Sequence, residues 1–116
     1  MKERTTMQIS IRQMDKTTIL DISGDIDLAS SPQVRKTLLR ELQANRVPRV
    51  VLNLVQVRYI DSSGVASLVE GLKVSRNAGS RFILFGLSTI AREVLQLSRL
   101  LNIFEVYETE EQALAS

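Results

Sequence analysis

The sequence predicts an α/β fold: a mixed β-sheet that opens with an antiparallel hairpin and is packed by about four α-helices. Three observations predict it. Residues 7–23 hold two period-2 stretches separated by a polar turn, the pattern of paired strands. Residues 50–54, "VVLNL", form a short β-branched run suited to a strand buried on both faces. From residue 31 onward, segments of helical spacing alternate with short apolar strands, and such crossovers make the later neighbours parallel.

The elements follow in order. In "MQISIRQ", Met7, Ile9 and Ile11 fall on one side and Gln8, Ser10 and Arg12 on the other, as in a half-exposed edge strand. "TILDIS" alternates through Leu20 and Ile22 and ends at Gly24. Ser31 before Pro32 matches an N-cap followed by proline in the first turn, so a helix is expected over about 32–45, with Val34, Leu38 and Leu42 inward. After the central strand, Val65, Leu68, Val69 and Leu72 mark a second helix over about 63–77, which Gly79 should stop. "RFILFG" at 81–86 reads as a strand. Gly86 then ends it, Ser88 caps a third helix, and Ile90, Val94, Leu97 and Leu101 give that helix its apolar spacing. "IFEVY" at 103–107 reads as a last strand, and Thr109 with Gln112 has the spacing of a capping box that opens a small terminal helix.

A length of 116 residues suits one domain over 1–116, with loose ends expected at 1–6 and 115–116. Hydrophobic residues at 44% and charged residues at 24% supply a core and argue against global disorder. Apolar runs are far shorter than the roughly 18–20 residues that a membrane span needs, and the start lacks the apolar stretch of a secretory signal, so a cytoplasmic protein without membrane insertion is expected. The net charge is only +2, and the basic residues are interleaved with acids and apolar residues, so no direct nucleic-acid contact is expected. Arg58 and Arg99 read as solvated charges. With no histidine and no cysteine, the common zinc sites, the Ser-His-Asp and Cys-His arrangements and redox thiols are unavailable. A serine–lysine pair is remote too, since the lysine nearest Ser62 in sequence is Lys73, nearly three helical turns along. No glycine-rich phosphate loop is present. A non-enzymatic protein with no metal and no cofactor is expected.

The stretch "IDSSG" at 60–64 joins the end of the central strand to the second helix, the place where open α/β sheets present functional groups. One reading is capping, because Asp61, Ser62 and Ser63 can all accept from the free N–H groups of a first helical turn, with Gly64 admitting close backbone approach. The other is a switch. A phosphoserine adds about −1.5 to −2 charge, which a helix N-terminus tolerates and a partner lying on the loop does not. Asp25 and Asp27, in the loop after the second strand, add negative charge beside it.

With "GDID" at 24–27, "VVLNL" leading into "IDSSG", Gly79 before the next strand and "LSRLLNIFEVY" at 97–107, the chain resembles the STAS domain, and more narrowly the stand-alone bacterial anti-sigma-factor antagonists, over about residues 7–114. The resemblance implies a STAS-like mixed sheet. It also implies partner switching, in which an anti-sigma factor that is also a serine protein kinase binds the unphosphorylated protein and phosphorylates the first serine of the motif, here Ser62. A metal-dependent serine phosphatase then restores it. The surface so implied comprises Asp25, Asp27, Asp61, Ser62, Ser63 and Gly64. The family's frequent G-E-L-D reads here as Gly24, Asp25, Ile26 and Asp27, which keeps both acids. STAS domains also serve as accessory subunits of lipid-transport ABC systems, docking on the ATPase, and an exposed apolar strip at Val65, Leu68 and Val69 would suit either role, although core packing is the first explanation for those residues. The intact serines and loop acids favour partner switching.

Overall fold

The computed structural model describes residues 6–116; the loose end expected at 1–6 lies, but for residue 6, outside them. Strands β1 (Gln8–Met14) and β2 (Thr17–Ser23) pair antiparallel in a register running from Gln8 opposite Ser23 to Met14 opposite Thr17. Asp15 closes the turn with φ near 60°, a left-handed conformation that aspartate tolerates better than most side chains. Every later strand is parallel to its neighbour: β3 (Arg49–Gln56) beside β2, β4 (Arg81–Phe85) beside β3, and β5 (Glu105–Tyr107) beside β4. The order across the sheet is β1-β2-β3-β4-β5, so β1 is an edge and β3 the centre, as the alternation and the apolar run predict.

Helices α1 (Ser31–Leu39), α2 (Ser62–Ala78), α3 (Thr89–Leu97) and α4 (Glu110–Ala115) connect or follow these strands. A wider-wound turn, Arg40–Ala44, extends α1 to the expected length. Leu20, Ile22, Val50, Leu52, Leu54, Phe82 and Leu84 project from one face of the sheet into the main core, against Val34, Leu38, Leu42, Leu68, Leu72 and Leu95 of the helices. The other face carries Ile19, Val51, Ile83 and Phe85 beneath Ala113 of α4. This second layer corrects the alternation read for β2: Thr17, Thr18, Ile19 and Leu20 are all buried, because both faces of the strand are covered.

Terminal signals hold in most places. Gly79 takes φ near 74°, and Ser80 N–H reaches back to the Ser75 carbonyl at 2.8 Å, closing α2 as a Schellman motif. Thr109 and Gln112 form the reciprocal capping box of α4, and the Ser88 hydroxyl accepts the Ala91 N–H at the start of α3. Three expectations change. Ser30, not Ser31, is the residue that precedes α1, and its hydroxyl is turned back into the preceding loop instead of onto the helix. On α3 the buried residues are Ala91 and Leu95, while Ile90 and Leu97 face solvent, so the small Ala91 shares the core-facing side with Leu95. The residues 101–103 form a short turn, so β5 begins at Glu105.

α4 is clamped to the hairpin by charge. Arg12 of β1 spans Asp21 of β2 and Glu110 of α4, at 2.6 Å and 2.7 Å. The Arg12 guanidinium, helped by a hydrogen bond from Asn53, holds the Asp21 carboxyl below its ordinary range against the opposing effect of burial, and the two carboxylates hold Arg12 more firmly protonated. Beyond α4 the Ser116 backbone oxygen accepts from Arg49 and Arg81.

Candidate functional site

Parallel strands deliver their following loops to one end of the sheet, so the loops after β2, β3 and β4 gather where those strands finish. The first two are laced together. Ile26 and Ile60 form a lone parallel bridge; Ile26 N–H donates to the Tyr59 carbonyl and Asp61 N–H to the Ile26 carbonyl, each at 3.1 Å. The third joins them through the Ser88 hydroxyl, which donates to the Arg58 carbonyl at 2.8 Å.

Asp61 is the N-cap of α2. One carboxylate oxygen accepts the Gly64 N–H at 2.9 Å, and the other reaches across to accept the Leu28 N–H at 3.1 Å. A single side chain therefore both starts the helix and holds the neighbouring loop. Of the three cap-forming residue types in sequence, only Asp61 has the extended backbone of a cap, with Ser62 and Ser63 already inside the helix. The Ser62 side chain is exposed and makes no hydrogen bond to the described residues. Ser63 is half-buried and lines a groove of about 370 Å³ between α1 and α2 with Ser31, Ala66 and Ser67, spanned by an ion pair of 2.7 Å between Arg35 and Glu70.

Gly64 is buried, and its reason is proximity. A Cβ there would stand 2.4 Å from the Ile26 carbonyl oxygen and 2.6 Å from Cγ2 of Ile60. Only a glycine lets α2 start against the loop after β2.

The loop acids divide. Asp27 turns its carboxylate onto its own loop, accepting the Ala29 and Ser30 N–H groups at 3.1 Å each, and its carbonyl accepts the Ser31 N–H that starts α1. Asp25 is exposed; its carbonyl accepts the Ser30 hydroxyl at 2.8 Å, and its carboxylate makes no hydrogen bond or ion pair with the described residues. Asp61, Ser62, Ser63 and Gly64 thus lie in one helix start, Asp27 in the loop tied to it, and Asp25 two residues earlier in that loop.

Sequence reading passes over Leu28 and Tyr59, both exposed apolar residues in these loops, because single loop residues belong to no periodic pattern; it places Ile90 on a buried face, which the structure turns outward. Val65 and Leu68, considered as an exposed apolar strip, are buried core, and Val69 is half-buried against it. Among the described residues no helix is long and apolar enough to cross a membrane.

The helix start, its acid cap and its obligate glycine occur in an architecture for which a known family matches the chain from residue 8 to residue 113, as the STAS domain. The chain belongs to the STAS domain family. An anti-sigma-B factor antagonist of Listeria monocytogenes is 29% identical to it over 106 residues, covering 90% of this chain and 91% of that protein. The crystal structure of an anti-sigma factor antagonist from Mycobacterium paratuberculosis superposes with a TM-score of 0.84 at 21% identity, over 95% of this chain and 92% of that one. The Bacillus cell fate determinant SpoIIAA in its phosphorylated form gives 0.73 at 23% identity, over 93% and 97%. Among the described residues of this STAS chain, the hairpin, mixed five-stranded sheet and four helices are the expected fold.

Proposed function

We propose that this STAS protein is a cytoplasmic anti-sigma-factor antagonist whose binding is switched by phosphorylation of Ser62. The observation that carries the reading is the division of labour at the start of α2. Asp61 caps the helix and Gly64 packs it, so the Ser62 hydroxyl, exposed and unbonded among the described residues, is left over for chemistry. The partner is an anti-sigma factor that is also a serine protein kinase, and a metal-dependent serine phosphatase returns the protein to its binding form. The chain itself is a binding protein and supplies no catalytic residue.

A phosphoryl group at the first helical position adds about −1.5 to −2 charge where the helix dipole and the N–H groups of the first turn favour it. Folding therefore tolerates the modification. A partner seated on Asp25, Asp27, Asp61, Ser62, Ser63 and Gly64 meets a new dianion beside the Asp61 carboxylate and must desolvate it. Family membership and relatives of nearly equal length that are antagonists support the reading, as does a fold neighbour solved in both unphosphorylated and phosphorylated forms.

The test pairs two substitutions with wild type against the serine-kinase anti-sigma factors of the same genome, each purified. Ser62→Ala should keep its stability within about 0.5 kcal/mol, since it removes no cap, and should bind without responding to kinase and ATP. Ser62→Asp should hold or gain roughly 0.3–1 kcal/mol from the helix dipole while its affinity falls. If wild type takes up no phosphate and both variants bind as it does, Ser62 is not the switch.

A further inference from the structure

Single exposed apolar side chains are ordinary, but Leu28, Tyr59 and Ile90 stand together at one end of the sheet, two on loops tied to each other and the third where α3 begins beside them. Leu28 is 73% exposed, Ile90 46% and Tyr59 43%. Leu28 and Tyr59 stand on the loops after β2 and β3, and Ile90 in the first turn of α3, directly after the loop that follows β4. The Leu28 N–H is held by Asp61, the Tyr59 carbonyl by the Ile26 N–H, and Ile90 lies two residues beyond Ser88, whose hydroxyl holds the Arg58 carbonyl. The backbone beneath all three is thus fixed before any partner arrives. Pre-organised apolar anchors lose little freedom on binding, and aromatic anchors are enriched among the few residues that dominate an interface.

From this arrangement we infer that Leu28, Tyr59 and Ile90 are the apolar anchors of the partner interface and determine which anti-sigma factor is bound. The inference rests on the reading of the protein as an antagonist and deepens it. Ser62 begins α2 three residues after Tyr59, the Asp61 carboxylate holds the Leu28 N–H, and Asp25 is an exposed acid three residues before Leu28 in the same loop. The complementary surface is therefore apolar at its centre, with lysine or arginine at its rim. The same arrangement gives the phosphate its effect, because a dianion at Ser62 would have to be buried beside apolar contacts that cannot solvate it. Leu97, 85% exposed at the far end of α3, serves as the control.

The experiment titrates the single variants Leu28→Ala, Tyr59→Ala, Ile90→Ala and Leu97→Ala against each purified serine-kinase anti-sigma factor of the same genome, with melting curves and sedimentation of every variant. Leu28→Ala and Tyr59→Ala should each weaken binding at least tenfold and Ile90→Ala severalfold, with unchanged melting. Leu97→Ala should stay within twofold of wild type. If Leu28→Ala and Tyr59→Ala bind as wild type does while Ser62→Asp still weakens binding, the anchor assignment fails and the antagonist reading survives. Equal weakening by Leu97→Ala also overturns it, since general apolar exposure would then account for binding. A wild-type dimer that Leu28→Ala dissociates would make the patch a contact between copies of this chain. If wild type binds none of those proteins, the antagonist reading falls and takes the anchors with it.

Discussion

Replacing Gly64 by alanine tests whether the loop after β2 and the start of α2 are one unit. In an unconstrained helix interior the change would stabilise by about 0.8–1 kcal/mol. Here the new methyl would stand 2.4 Å from the Ile26 carbonyl oxygen, 2.6 Å from Ile60 Cγ2 and 3.0 Å from Ile26 Cγ2. Comfortable separations are about 3.5–4 Å, so relief requires a displacement on the order of 1 Å. The carbonyl has little room to move, because it accepts the Asp61 N–H and its residue is bridged to Ile60. Overpacking typically costs about 1–3 kcal/mol, and straining the Asp61 hydrogen bond adds roughly 0.5–1.5 kcal/mol. After subtracting the propensity gain, the net loss centres near 2 kcal/mol. For a chain of this length that lowers Tm by about 6–10 °C. Thermal and urea unfolding followed by circular dichroism measure the loss, and amide spectra should show the Leu28 and Asp61 resonances displaced. Gly71→Ala is the comparison: the nearest atoms to its methyl are side-chain atoms, Leu38 Cδ1 at 2.8 Å and Phe82 Cε1 and Cζ at 2.9 Å and 3.2 Å, with no backbone carbonyl among them. A Gly64→Ala protein that melts at or above wild type, with those amides in place, would refute the close approach and with it the coupling of the two loops.

Acid should weaken the Arg12–Asp21 pair across the hairpin. The Asp21 carboxyl titrates below its unfolded value in the native protein, so its stabilising contribution is complete above an unfolded value of about 3.9 and is lost as pH falls through the lowered native one. Urea midpoints should decline below about pH 4 in wild type and more gently in Asp21→Asn; the same acid limb in both would place the effect elsewhere. Glu41 offers a gain in stability. It is 3% exposed, its Oε2 accepts from the Asn45 side chain at 3.1 Å, and its Oε1 has no partner among the described residues. Glu41→Met keeps the packing and removes the orphaned oxygen, so the urea midpoint should rise by an amount equivalent to about 1–3 kcal/mol; an unchanged or lower midpoint would mean that the oxygen is satisfied in solution.

Much of this architecture is legible in the sequence because local chemistry repeats the global answer. β3 is apolar on both faces where it must be buried, Gly79 stands where the chain needs a left-handed residue, and Thr109 with Gln112 marks its helix by hydrogen bonds that need no tertiary context. Spacing fails on α3. Ile90 and Leu97 have the hydrophobicity of core residues, but the small Ala91 shares the core-facing side with Leu95. It fails again on β2, since nothing within "TTIL" announces that α4, some ninety residues later, will cover its second face. At the site, Asp61, Ser62 and Ser63 are equivalent as cap formers until the backbone is known. The hydrogen bond from Leu28 to Asp61 joins residues 33 apart in sequence and leaves no local trace.

Strand order that repeats chain order has a consequence for how the protein is made. As the chain leaves the ribosome, each strand emerges to find its neighbour already in place, and no later segment has to be threaded between earlier ones. The hairpin comes first and offers β2 as a template; β3, β4 and β5 then add outward along one growing border, with a helix laid down before each addition. The nascent edge therefore moves during synthesis from β2 to β5 and ends on a strand of three residues, too short to invite a stray sequence to pair. The loops that carry Leu28 and Ser62 emerge one after the other along that advancing border, so their hydrogen bonds can close while β4, α3 and β5 are still being translated.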